Sequence, residues 1–206
     1  IALDNCVCAW IILSPILRLL YLIKNLTKAI VGNFLSPKLI MIFVINFKVA
    51  FGASAIFEDA IAQLQLEMVY SLTPSDVLLI DARLTNTGSS DYFLEHLLYW
   101  LPLAEDADQI LDFYGHWTKE RQPQRRDIGY GLTSREGFEG RSGHDYTITQ
   151  VALNRSTNFR SGEAWSLAMA WSGNNIHHVE KLIDGHISIG AGEYLLPGEV
   201  ILKAGE

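Results

Sequence analysis

Two stretches combine aromatic, amide and charged side chains in patterns that could recognise a sugar. Tyr114 to Pro123 (YGHWTKERQP) sets Trp117 among alternating charges, and Trp165 to Asn174 (WSLAMAWSGN) runs an apolar alternation into a small polar turn that ends on Asn174. Sugars present apolar C–H faces and hydroxyls together, so an aromatic face beside amides and charges suits them. A place in the hydrophobic core is the competing reading for each tryptophan. His177-His178-Val179-Glu180 carries metal-ligating types, but in a strand alternate residues face opposite ways, so no more than two of them share a face. Surface histidines beside the Asp184-Gly185 turn are the better reading, and neither a metal nor a cofactor is expected.

Other chemistry is weaker still. Gly140-Arg141-Ser142-Gly143 lacks the spacing of a nucleophile elbow. Gly129-Tyr130-Gly131 and Gly190-Ala191-Gly192 lack the third glycine and following helix of a dinucleotide fingerprint. Glu105-Asp106-Ala107-Asp108 lacks the ligand spacing of a calcium loop and reads as a solvated turn. The bases Lys119, Arg121, Arg125 and Arg126 lie among Glu120 and Asp127, so intramolecular ion pairs are expected rather than phosphate contacts. Asn154-Arg155-Ser156 is a glycosylation sequon only in a secreted eukaryotic protein.

The elements that must position these residues read as strands. Leu64, Leu66, Met68 and Tyr70 alternate with polar residues, and Leu78, Ile80, Ala82 and Leu84 repeat the pattern after the turn SLTPSD. So short a connection predicts an antiparallel hairpin. Further strands are expected at Asp145 to Leu153 and Glu163 to Ser172, the second covered on both sides because large and small residues alternate along it. Asp184-Gly185 predicts a two-residue hairpin turn and Leu196-Pro197-Gly198-Glu199 a type II turn before Val200-Ile201-Leu202. Short strands with turn signals between them predict a mainly β fold, a sandwich of two antiparallel sheets.

Composition then divides the chain. Residues 1–56 hold one acid, Asp4, and five bases, a charge of +4; the remainder holds 22 acids and 11 bases, a charge of −11, and the two sum to −7 over 206 residues. A pI near 5.3 disfavours nucleic acid as a partner. Cys6 and Cys8 are too close for an ordinary intramolecular disulfide. The runs Ala9 to Ile23 and Leu39 to Ile45 are apolar, but the first contains Pro15 and Arg18 and the second is bounded by Lys38 and Asn46. A spanning helix needs about 20 apolar residues. Three readings of residues 1–56 stay open: a membrane anchor, a buried helix pair, or sequence foreign to the domain.

Five strings, in order, carry a resemblance: Leu84-Thr85-Asn86-Thr87-Gly88; Tyr114-Gly115-His116-Trp117-Thr118-Lys119-Glu120-Arg121; Ser134-Arg135-Glu136-Gly137; Trp171-Ser172-Gly173-Asn174; and Leu195-Leu196-Pro197-Gly198-Glu199. Together they resemble the N-terminal domain of microbial α-galactosidases of glycoside hydrolase family 36, over about residues 57–206. Tyr114 and Lys119 depart from the family's serine and arginine. The resemblance implies an antiparallel β-supersandwich of galactose-mutarotase type, with residues 1–56 outside the family domain. It also implies that a separate (β/α)8 barrel supplies both catalytic carboxylates of a retaining hydrolysis. No K-W-D string of that barrel occurs in the sequence, so no catalytic residue is expected in this chain. The implied partners are α-galactoside sugars and, in the complete enzyme, further copies of the chain; the implied location is the bacterial cytoplasm. Trp117 is expected nearest the sugar and Asn174 second. A free-standing carbohydrate-binding sandwich and a decayed gene product are the alternatives.

Overall fold

The computed structural model describes residues 52–206 in full and, before them, the backbone of two strands, β1 (Val7–Trp10) and β2 (Ile40–Asn46). Thirteen strands follow: β3 (Gly52–Asp59), β4 (Leu64–Leu72), β5 (Val77–Asn86), β6 (Tyr92–Leu94), β7 (His96–Pro102), β8 (Gln109–His116), β9 (Lys119–Asp127), β10 (Gly131–Gly137), β11 (Thr149–Leu153), β12 (Ala164–Met169), β13 (Asn175–Lys181), β14 (Ile187–Tyr194) and β15 (Val200–Leu202). They form a nine-stranded sheet in the order β2-β3-β4-β5-β1-β12-β11-β8-β9, a four-stranded sheet β10-β13-β14-β7, and the pair β15-β6. Every pairing is antiparallel.

Alternation places the core between the two larger sheets. Leu66, Met68 and Tyr70 from β4 and Leu78, Ile80 and Ala82 from β5 are buried with Ile110, Leu167 and Met169. They pack in one cluster with Tyr99 and Leu101 of β7, Val179 of β13, and Ile187, Ile189 and Ala191 of β14. Each large side chain buried there contributes about 1.5–3 kcal/mol of transfer free energy. The expected sandwich and the β4–β5 hairpin are thus present, with Leu66 opposite Leu84 and Tyr70 opposite Ile80.

Several details differ from expectation. Residues 145–148 are not strand, and β11 starts at Thr149. The β12 strand stops at Met169, and Ala164 is exposed, so only the face bearing Leu167 and Met169 is fully covered. Trp171 lies beyond the strand and is partly exposed. Asp184-Gly185 does not form a two-residue turn. Gly185 N donates to Leu182 O, Leu182 N donates to His186 O, and Gly185 takes φ of 90°, the arrangement of a type I turn closed by a left-handed bulge residue. The Pro197-Gly198 turn is as expected: Glu199 N donates to Leu196 O at 3.0 Å and β15 follows.

The composition break at Phe57 falls inside β3, whose pairing with β4 runs unbroken from Gly52 opposite Ser71 to Asp59 opposite Leu64. The β1 backbone joins β5 to β12, Val7 opposite both Ile80 and Met169. The readings of residues 1–56 as anchor or helix pair fall largely outside the described residues. Among those described, no helix is long and apolar enough to cross a membrane.

Candidate functional site: a groove under the β8–β9 hairpin

The β8–β9 hairpin projects Trp117 at its tip. His116 pairs with Lys119, leaving Trp117 and Thr118 as the two-residue connection. Of these only Thr118 has a positive φ, 70°, so the turn is of type II, whose twist fits a hairpin poorly. A β-branched residue in that region is strained by about 1–3 kcal/mol. The Glu120 carboxylate offsets part of the cost by accepting from Thr118 N at 2.9 Å. The bond from its own amide and then this one from Thr118, with His144 and His116 nearby, hold the Glu120 carboxyl below its usual range. Just before the tip, the register slips at Gly115. A Cβ there would stand 2.3 Å from Lys119 O and 2.9 Å from Glu120 Cα, so only glycine lets the two strands approach this closely.

Trp117 is 74% exposed, which excludes the core reading for this residue. Its ring meets the His144 imidazole edge-on at 6.2 Å. Between the hairpin tip and residues 139–145 lies an open groove of about 800 Å³. Trp117 and His116 line one side, and Glu139, Arg141, His144 and Asp145 the other. A second depression of about 460 Å³ continues it past Tyr114 and Gly115 to Ser134, Arg135 and Glu136. An indole face opposite imidazole, guanidinium and carboxylate groups can stack a sugar's C–H face while hydrogen-bonding its hydroxyls.

Asn174, the other expected site residue, is not on the groove wall. Its Oδ1 accepts from Gly140 N at 2.7 Å, so it touches the loop that forms the wall. Its backbone carbonyl also accepts from Tyr194 N at 3.0 Å. Trp165 packs against the main core, in line with the competing reading.

Beside Trp117 and Asn174, three further residues support the groove: Arg135 lines its second depression, and Asp112 and Tyr146 lie against Arg135. Arg135 faces inward from β10 and donates through Nη2 to Asp145 O at 2.6 Å and Phe113 O at 3.1 Å. Its guanidinium lies 5.9 Å from the centre of the Tyr146 ring. Asp112, nearly fully buried on β8, accepts from Arg126 Nη2 at 2.8 Å and Gln124 Nε2 at 3.2 Å, with Arg135 Nε at 3.8 Å. Tyr146 is buried, and its hydroxyl hydrogen-bonds His177 Nδ1. Gly137 makes room for that ring: a Cβ would fall 2.7 Å from Tyr146 Cδ1. Part of this is legible in the chain, since Ser134-Arg135-Glu136-Gly137 is one of the five ordered strings.

His177 and His178 are not surface histidines. His177 is 1% exposed on the inner face of β13, and burial lowers its pKa from 6.5 to about 4. His178 points to the outer face, where its ring stacks on Trp100 at 5.5 Å and 5°. Among the described residues no three metal-ligating side chains converge. The basic run behaves partly as expected: Arg126 pairs with Asp112, whereas Arg125 donates to the carbonyls of Thr157, Asn154 and Arg155.

The sequence profile described as the glycosyl hydrolase family 36 N-terminal domain matches residues 52–203. The chain belongs to glycoside hydrolase family 36. It is 31% identical over 149 residues to an α-galactosidase of Escherichia coli, a match covering 72% of this chain and 21% of that protein. To the α-galactosidase Mel36A of Lactobacillus acidophilus it is 27% identical over 137 residues, covering 66% of this chain and 19% of the relative. Among solved structures, the family 36 α-galactosidase AgaA of Geobacillus stearothermophilus superposes with a TM-score of 0.71 at 18% identity, covering 82% of this chain and 26% of that one. AgaA variants have been solved with stachyose and with raffinose. The chain therefore spans about a fifth of the length of the curated relatives it matches.

Proposed function

We propose that this chain is the sugar-facing β-sandwich domain of an α-galactosidase, with the catalytic carboxylates supplied by a (β/α)8 barrel that lies outside residues 1–206. The observation that carries this reading is Trp117, held in the open on a strained turn beside a polar wall, in a chain whose family relatives are α-galactosidases. Covering an indole is worth about 1.5–3 kcal/mol, free energy that an exposed Trp117 still has to offer a ligand. Trp117 contacts the sugar, and Asn174 serves the same site through the loop it holds. We take the family domain to begin at Gly52, where both β3 and the family match begin. The cytoplasm and an assembly of several copies follow from the same reading.

The test is to sequence the DNA beyond the Glu206 codon and assay the product of the whole frame. The expected result is galactose release from raffinose, with kcat/KM lowered about tenfold or more by Trp117→Ala, the equivalent of one lost stacking contact. A stop codon with no barrel downstream, or a Trp117→Ala enzyme within about twofold of the parent, overturns it.

A second reading is favoured by one observation: this chain alone supplies both sides of the groove. A free-standing saccharide-binding module would bind raffinose or melibiose without a barrel, and calorimetry of the isolated chain showing no heat with either removes it.

A further inference from the structure

The wall opposite Trp117 is a loop with no regular structure, yet it is tied at three points. Near its start the Phe138 ring lies 6.1 Å from that of Tyr194 on β14. Two residues on, Gly140 N donates to Asn174 Oδ1 at 2.7 Å. At its far end Asp145 O accepts from Arg135 Nη2 at 2.6 Å. Between the last two ties stand Arg141 and His144, on the groove. Both tying side chains come from the four-stranded sheet side: Arg135 is on β10 and Asn174 immediately precedes β13, which pairs with β10 from Gly131 to Gly137. Two of the five sequence strings, Ser134-Arg135-Glu136-Gly137 and Trp171-Ser172-Gly173-Asn174, thus converge on one loop although neither contributes the loop's own residues.

We propose that Asn174 and Arg135 are positioning residues that clamp residues 138–145 beside the hairpin tip, so that Arg141 and His144 form a fixed polar wall facing Trp117 and set which saccharides the groove admits. The saccharide half rests on the proposed function; the clamp does not. A loop of eight residues freed at one end gains conformational entropy and opens locally without global unfolding. Asn174 acts as an acceptor: a carboxylate in its place still receives the Gly140 N–H, whereas a methyl group does not. Arg135 holds both carbonyls through Nη2 while its Nε faces Asp112 at 3.8 Å, and a lysine ammonium, a single point of charge, does not span the carbonyls and the carboxylate together.

Limited trypsin digestion of the folded chain, read by mass spectrometry at the Arg141–Ser142 bond, tests the clamp. Asn174→Ala is expected to raise the cleavage rate at that bond about tenfold, the factor that loss of one hydrogen bond gives in a local opening equilibrium. Asn174→Asp is expected to stay within about twofold of the parent. Arg135→Lys is expected to behave like Asn174→Ala, and a thermal melt of each variant separates local release from global unfolding. Parental cleavage in Asn174→Ala, or an Asn174→Asp chain as labile as Asn174→Ala, overturns the clamp. A parallel titration with raffinose separates the two halves. The Trp117 indole resonance is expected to shift in the parent and in Asn174→Asp, and to shift less in Asn174→Ala. If the cleavage pattern holds but raffinose moves Trp117 in none of them, the clamp stands and the saccharide reading falls; an equal shift in all three overturns the selecting role of the wall.

Discussion

The two ends of the β8–β9 hairpin are built on opposite terms. At its base, Asp112 is buried and paired with Arg126, while Gln109 bridges to Asp127 and Arg125. Ile110 beside them is fully buried and Arg125 closes three backbone carbonyls. At its tip, Thr118 sits in a backbone region that suits glycine, and Trp117 faces water. The base uses each side chain to lower the free energy of the fold; the tip gives up stability to hold an aromatic face open. Binding surfaces carry this signature because a group satisfied within its own fold has nothing left to offer a ligand.

The contrast breaks first at the base. Asp112→Ala removes the carboxylate that accepts from Arg126 and Gln124, both of which water can reach, and is expected to lower unfolding free energy by about 3 kcal/mol, measured by urea denaturation. A loss below about 1 kcal/mol would show that the base is no better braced than the tip.

Comparable in size is a pH effect beneath the groove. His177 has its pKa lowered from 6.5 to about 4 in the folded chain, so the unfolded chain takes up the proton first as pH falls. The contribution of His177 is complete above pH 6.5 and declines through that window towards pH 4, a loss of about 3 kcal/mol from a shift of this size. Denaturant unfolding at several pH values should show the decline in the parent but not in His177→Gln, which keeps a side chain able to meet the Tyr146 hydroxyl.

At the tip the signs change. Thr118→Asn replaces a β-branched residue with one that tolerates left-handed backbone, and is expected to stabilise by about 1 kcal/mol, raising Tm. Trp117→Ala is expected to change stability by less than about 0.5 kcal/mol, as for an exposed side chain with little packing to lose. A large loss in that variant would move Trp117 from the ligand's side of the comparison to the fold's.

The same division explains what can be read from the sequence. β4 and β5 are legible because each has one face in the core and one in water, so apolar and polar residues alternate along them. β9 is not: KERQPQRRD is an edge strand, charged, interrupted by Pro123 and almost wholly exposed, and it is a strand because β8 pairs with it. The type of Trp117 suggests a sugar contact, and its ring is exposed, but the Gly140 contact of Asn174 is hidden because its partner is a backbone amide 34 residues away. The burial of His177 is hidden for a related reason. Its neighbour Asp184-Gly185 signals surface, whereas its burial depends on Tyr146, 31 residues earlier in the chain.

Everything proposed for the groove depends on the indole face of Trp117 being a saccharide contact. Nuclear magnetic resonance of the tryptophan indole protons during a titration with raffinose tests it most directly, because Trp165, packed against the core, serves as an internal control. A saturable shift of the Trp117 resonance in the millimolar range, with Trp165 unmoved, is the predicted result. Equal small drifts of both resonances, with no saturation, would contradict it.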